Sequence, residues 1–176
     1  MKKILLITVS SIAIAGTIIF YTYDSIPKKS VAIEESASKN DGGKIIEIKE
    51  TAAEPVEQEF PMDMSDMAVQ NAIHGMSHQK VKASDKWGFI PLSAERVTRL
   101  KAVVEANEYK EKGLYLDILN RWSKNDFSRV DSDHNVVWHM QDGTVGEAIG
   151  IYSAEEEKAF IEEHFDIEPT TKQGDD

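Results

Sequence analysis

Residues 4–23, ILLITVSSIAIAGTIIFYTY, carry no charged side chain, and the chain turns polar and acidic directly after them. A run of that length at helical rise covers about 30 Å, the hydrocarbon thickness of a bilayer, so it predicts a transmembrane helix with the lipid bilayer as its partner. Lys2 and Lys3 form a basic n-region, and Ala13, Ala15 and Gly16 resemble a signal-peptidase site. Cleavage there would leave apolar residues 17–23 exposed, whereas a retained helix buries them and sets Tyr21 and Tyr23 at the interface. The expectation is therefore a single-pass signal-anchor in the cell membrane, with a cytoplasmic N-terminus and an extracytoplasmic C-terminal domain. Lipid attachment through a lipobox is excluded, because the chain has no cysteine.

The formal net charge is -11, and setting aside Lys2 and Lys3 leaves 18 basic against 31 acidic side chains, or -13, beyond the apolar run. Coulomb repulsion from phosphates excludes a nucleic-acid partner. Residues 24–60 are charged and small throughout, include Gly42 and Gly43, and cannot bury enough apolar surface to fold alone. They are expected to form an acidic flexible linker, in which KIIEIK (residues 44–49) alternates weakly like an edge strand.

The folded domain is expected over residues 61–167. Ser65 is a helix cap, followed by Val69, Ile73 and Met76 at helical spacing. Ser93 opens a second helix with Val97, Leu100, Val103 and Val104 as its stripe. A third runs from about Lys110 with Leu114, Ile118, Leu119 and Trp122 inward, a fourth occupies about 133–140, and Ser153 with Glu156 is the capping box of a fifth. Residues 168–176 read as a disordered tail. The expected class is all-α, a small bundle of about five short helices with Trp87, Trp122 and Trp138 in or beside its core.

Four constellations bear on chemistry. His74 and His78 stand four residues apart, so both imidazoles leave one helix face and can share a zinc ion or another divalent metal. The hydrolytic His-Glu-x-x-His motif needs glutamate where this chain has Gly75, and a metal site needs a third ligand, from Asp133, His134 or His139. The Asp131–Asn135 stretch begins like a calcium loop, but Val136 occupies the position that requires glycine. The glycines of GTVGEAIG lack the lysine of a phosphate cradle, and Glu155, Glu156 and Glu157 fit a solvated helix start. No catalytic set is complete, so an enzyme is not the favoured reading.

The blocks AIHGMSHQKV, KWG, ERV, YLDILNRW, DHN-x-x-W and DGTVG, within about residues 62–166, resemble an uncharacterised family of short, N-terminally anchored extracytoplasmic proteins of Bacillus-type Gram-positive bacteria. The resemblance implies a bacterial envelope setting and assigns no functional residue. Two functions follow as expectations. One is a membrane-tethered interaction or regulatory module docking on an envelope protein or cell-wall component. The other is a metal-binding protein or metal-dependent enzyme built on His74 and His78, with Asp133, His134 or His139 completing the site.

Overall fold

The computed structural model describes residues 29–37, 44–50 and 55–168. Strands β1 (Ser30–Ala37) and β2 (Lys44–Glu50) pair antiparallel, and helix α1 (Val56–Glu59) follows. Helix α2 (Asp66–Ser77) leads to β3 (Val81–Lys82), then come α3 (Ala94–Ala106), α4 (Lys112–Trp122) and α5 (Val130–Met140). Strand β4 (Gly150–Ile151) pairs antiparallel with β3, and α6 (Ala154–His164) leads to β5 (Asp166–Ile167), which lies parallel to β1. The larger sheet therefore has the order β2-β1-β5.

Two apolar clusters explain this arrangement. In the first, α2 contributes Val69, Ala72, Ile73 and Met76, the i, i+3, i+4, i+7 stripe of an amphipathic helix, to a core shared with α3, α4 and α5. Leu100, Tyr115, Ile118, Leu119 and Trp122 fill its centre. In the second, Val31, Ile46 and Ile48 of the sheet close over Phe160, Ile161 and Phe165 around the end of α6. Ile46 and Ile48 lie on one face of β2 by the two-residue period of a strand, so the hairpin buries that face against the helix.

This overturns the all-α expectation. Paired strands stand at residues 30–37 and 44–50, where a disordered linker was expected, because they obtain from α6 the burial that their own sequence does not supply. Buried polar links reinforce the docking. Lys80 Nζ donates to Ile46 O at 3.0 Å and pairs with Glu157 at 2.7 Å. Arg96 reaches Glu50, at the end of β2, and Glu59 of α1. The membrane placement is likewise corrected: among the described residues no helix is long and apolar enough to cross a membrane. Residues 4–23, on which the transmembrane expectation rested, lie outside the described residues.

The serine caps act as their chemistry requires. Ser65 accepts from Ala68 N, Ser93 from Arg96 N, and Ser153 with Glu156 closes a capping box. Of the tryptophans, Trp122 and Trp138 are buried, whereas Trp87 is 64% exposed on the connection between β3 and α3. Gly75 is a point of close approach within α2: a Cβ there would lie 2.6 Å from Gly88 O, and Ile90 N donates back to Gly75 O at 3.3 Å.

Candidate metal centre

Helices α2 and α5 pack against each other and bring three histidines together. His74 leaves the last turn of α2. His78 is the C-cap but keeps helical backbone angles (φ -52°, ψ -32°), so the four-residue spacing still presents both rings on one side. His134 lies on α5 between Val130 and Val137 of its buried stripe. The ring centroids are 4.7 Å apart for His74 and His78, 4.5 Å for His74 and His134, and 5.3 Å for His78 and His134. One nitrogen from each ring can be chosen so that all three lie within 4.8 Å of one another.

The surrounding hydrogen bonds fix which nitrogens carry lone pairs. Gln141 donates through Nε2 to Asn71 Oδ1 at 2.8 Å, so its Oε1 accepts from His74 Nδ1 at 2.5 Å. The lone pair of a neutral His74 is then on Nε2. His134 Nε2 faces the carbonyl oxygen of Gly146 at 3.1 Å, which can only accept, and this puts the His134 lone pair on Nδ1. Such carbonyl and carboxamide partners are the groups that hold metal-binding imidazoles in their tautomer and orientation. His78 Nδ1 is buried and has no hydrogen-bond partner among the described residues.

Ser77 Oγ lies 2.9 Å from His134 Nδ1 and donates to His74 O at 2.6 Å. Its single proton cannot serve both acceptors. A metal ion on Nδ1 would take the hydroxyl's place, which requires Ser77 to turn about χ1. Tetrahedral coordination by nitrogen also requires the donors to draw in to separations of about 3.3 Å.

All three rings are held neutral. Burial pushes His78 down to about 2, with His74, His134, Lys86 and His164 adding repulsion. Burial and His74 lower His134 to about 4 against the hydrogen bond to Gly146. Burial also lowers His74, opposed by Gln141. Neutral imidazole is the metal-binding form, so no proton has to be displaced at neutral pH.

The other sequence candidates lie elsewhere. Asp133 accepts from Arg121 through both oxygens at 2.7 Å and from Trp122 Nε1 at 3.1 Å. His139 is exposed with its ring against Trp138, outside the three-histidine group. The GTVGEAIG segment is pinned to α5 instead of cradling an anion: Asn135 bonds both backbone polar groups of Ala148, and Trp138 Nε1 donates to Val145 O. Gly146 has φ +92°, and a side chain there would run into Asp85 O. Sequence reasoning passed over Ser77 and Gln141, and weighed Gly146 only within the glycine-bearing segment that lacks a phosphate-binding lysine. Adjacency to His78 was the only signal for Ser77, and there was none for Gln141, whose role depends on how α2 and α5 meet.

Fold and site together define a small mixed α/β domain with a buried three-histidine cluster at a helix–helix contact. Residues 73–162, just over half of the chain, match a family of unknown function (DUF6241), and the chain belongs to that family. The matched segment contains His74, His78 and His134. No curated protein and no solved structure matches the chain.

Proposed function

We propose that this protein binds a divalent transition metal through His74, His78 and His134. The observation that carries the reading is the convergence of three neutral imidazoles within 4.8 Å, one of them with a buried, unpartnered Nδ1. An orphaned buried polar atom costs about 1–3 kcal/mol, and coordination would remove that cost. Imidazole donors without thiolate suit zinc, copper, nickel or cobalt better than calcium or magnesium. The membrane tether expected from the sequence has no part in this reading.

The test is metal content and thermal stability of the full-length chain after dialysis against zinc. One equivalent should be retained, and zinc at a hundred times its Kd should stabilise the fold by about 2.7 kcal/mol over chelator-treated protein. His74→Ala, at the least buried ligand, should abolish retention. Ser77→Ala removes the competitor for His134 Nδ1 and should retain zinc as tightly as the parent or more so, while His139→Ala should change nothing. Metal-free protein with one melting temperature in chelator and in excess zinc would overturn the reading.

A further inference from the structure

We propose that the divalent ion at His74, His78 and His134 carries a small, monodentate exogenous anion as its fourth ligand; this rests on the metal-binding reading above. Three imidazoles fill three positions of a tetrahedral centre and leave one open. As ligands they are also all neutral, because a coordinating imidazole nitrogen carries no proton, and His74 and His134 keep their one proton on the nitrogens that face Gln141 and Gly146. The ion would therefore bring its whole double charge into a site where His134 is fully buried and His78 nearly so. An uncompensated buried charge is strongly unfavourable.

Among the described residues no carboxylate is placed to neutralise it. The metal-competent group contains none among the described residues. Asp133 immediately precedes His134 on α5, but both its oxygens are held by Arg121. Glu157 is committed to Lys80 and Gln79. A further cation stands close by: Lys86 Nζ donates to His78 O at 2.9 Å and lies 4.3 Å and 4.2 Å from the ring centroids of Tyr152 and Phe160. The field of this ammonium reaches the site from beside the His78 backbone. That field opposes a bare dication and favours an anion on it. The burial of His78 and His134 limits the anion to a few atoms, of the hydroxide, halide or pseudohalide kind.

The experiment uses the cobalt-substituted full-length protein in chloride-free buffer, titrated with thiocyanate and, in parallel, with poorly coordinating perchlorate at matched ionic strength. Thiocyanate should produce a saturable change in the visible cobalt bands, and at ten times its Kd should raise the apparent cobalt affinity about tenfold by linkage. Perchlorate should do neither. One equivalent of bound cobalt with spectrum and affinity unmoved by thiocyanate, or moved equally by perchlorate, would overturn the anion proposal and leave the metal site standing. Cobalt that fails to bind, or that binds equally to the His74→Ala variant, would overturn the metal reading and the anion proposal with it.

Discussion

At the scale of single residues, Gly75 shows opposing demands settled by geometry. Alanine in a helix interior is worth about 1 kcal/mol over glycine by propensity. Here its Cβ would meet Gly88 O at 2.6 Å, and that carbonyl belongs to a segment tied back to α2 through Ile90 N. Gly75→Ala should therefore destabilise by about 1–3 kcal/mol in urea unfolding, and a gain in stability would contradict the close approach. The histidines set a second expectation. Their folded values lie below the ordinary value near 6.5, so below that pH the unfolded chain binds more protons than the native one. Stability should be level above about pH 6.5 and fall as pH drops toward 4, by up to about 1.4 kcal/mol per pH unit for each proton. Urea midpoints between pH 7.5 and 5, above the carboxylate range, read this out, and a flat profile would argue against buried neutral rings. His74, His78 and His134 were all legible in the sequence as possible ligands; which of the further candidates the fold sets beside the pair was not, because Asp133 and His134 are neighbours and only helix rotation separates them.

Between elements, α4 and α5 are joined by an ion pair whose carboxylate is buried and whose guanidinium is partly exposed. Arg121 holds both oxygens of Asp133 at 2.7 Å, and Trp122 Nε1 adds a third bond to the same carboxylate. Arg121→Met would leave Asp133, buried to all but 3% of its surface, with only the indole as partner. The cost should be about 3–5 kcal/mol, read from Trp122 fluorescence during denaturation, and a loss under 1 kcal/mol would show that the pair is dispensable. Helices were legible because their signals are local: apolar spacing and a serine cap are written within a dozen residues. Of the strands only β2 left a trace, in the edge-strand alternation of KIIEIK. KIIEIK alternates, but Ile46 and Ile48 become buried only against Phe160 and Ile161, more than a hundred residues later. The two-residue strands β3, β4 and β5 have no period of their own and exist through their pairings.

Across the whole molecule, the hairpin is fastened to the helical core by few, deeply buried links. Lys80 joins Ile46 O, Glu157 and the face of Phe127, and Arg96 joins Glu50 to Glu59. The pairs Lys44–Glu35 and Lys49–Glu34 are exposed and screened by solvent, and add little. The parallel pairing of β1 with β5 joins the beginning of the described chain to its end, through Asp166 N to Lys29 O and Glu168 N to Val31 O, both 3.0 Å. Tension applied at Lys29 and Glu168 would run along these strands in opposite directions and load both bonds together, in shear. Tension at Lys29 and Glu50 would instead peel the antiparallel hairpin apart one bond at a time. In single-molecule pulling, the first geometry should rupture at higher force than the second, and equal forces would mean that the β1–β5 clasp bears no load. The strand pair that sequence could not disclose thus makes the domain's resistance to force depend on where along its chain it is held.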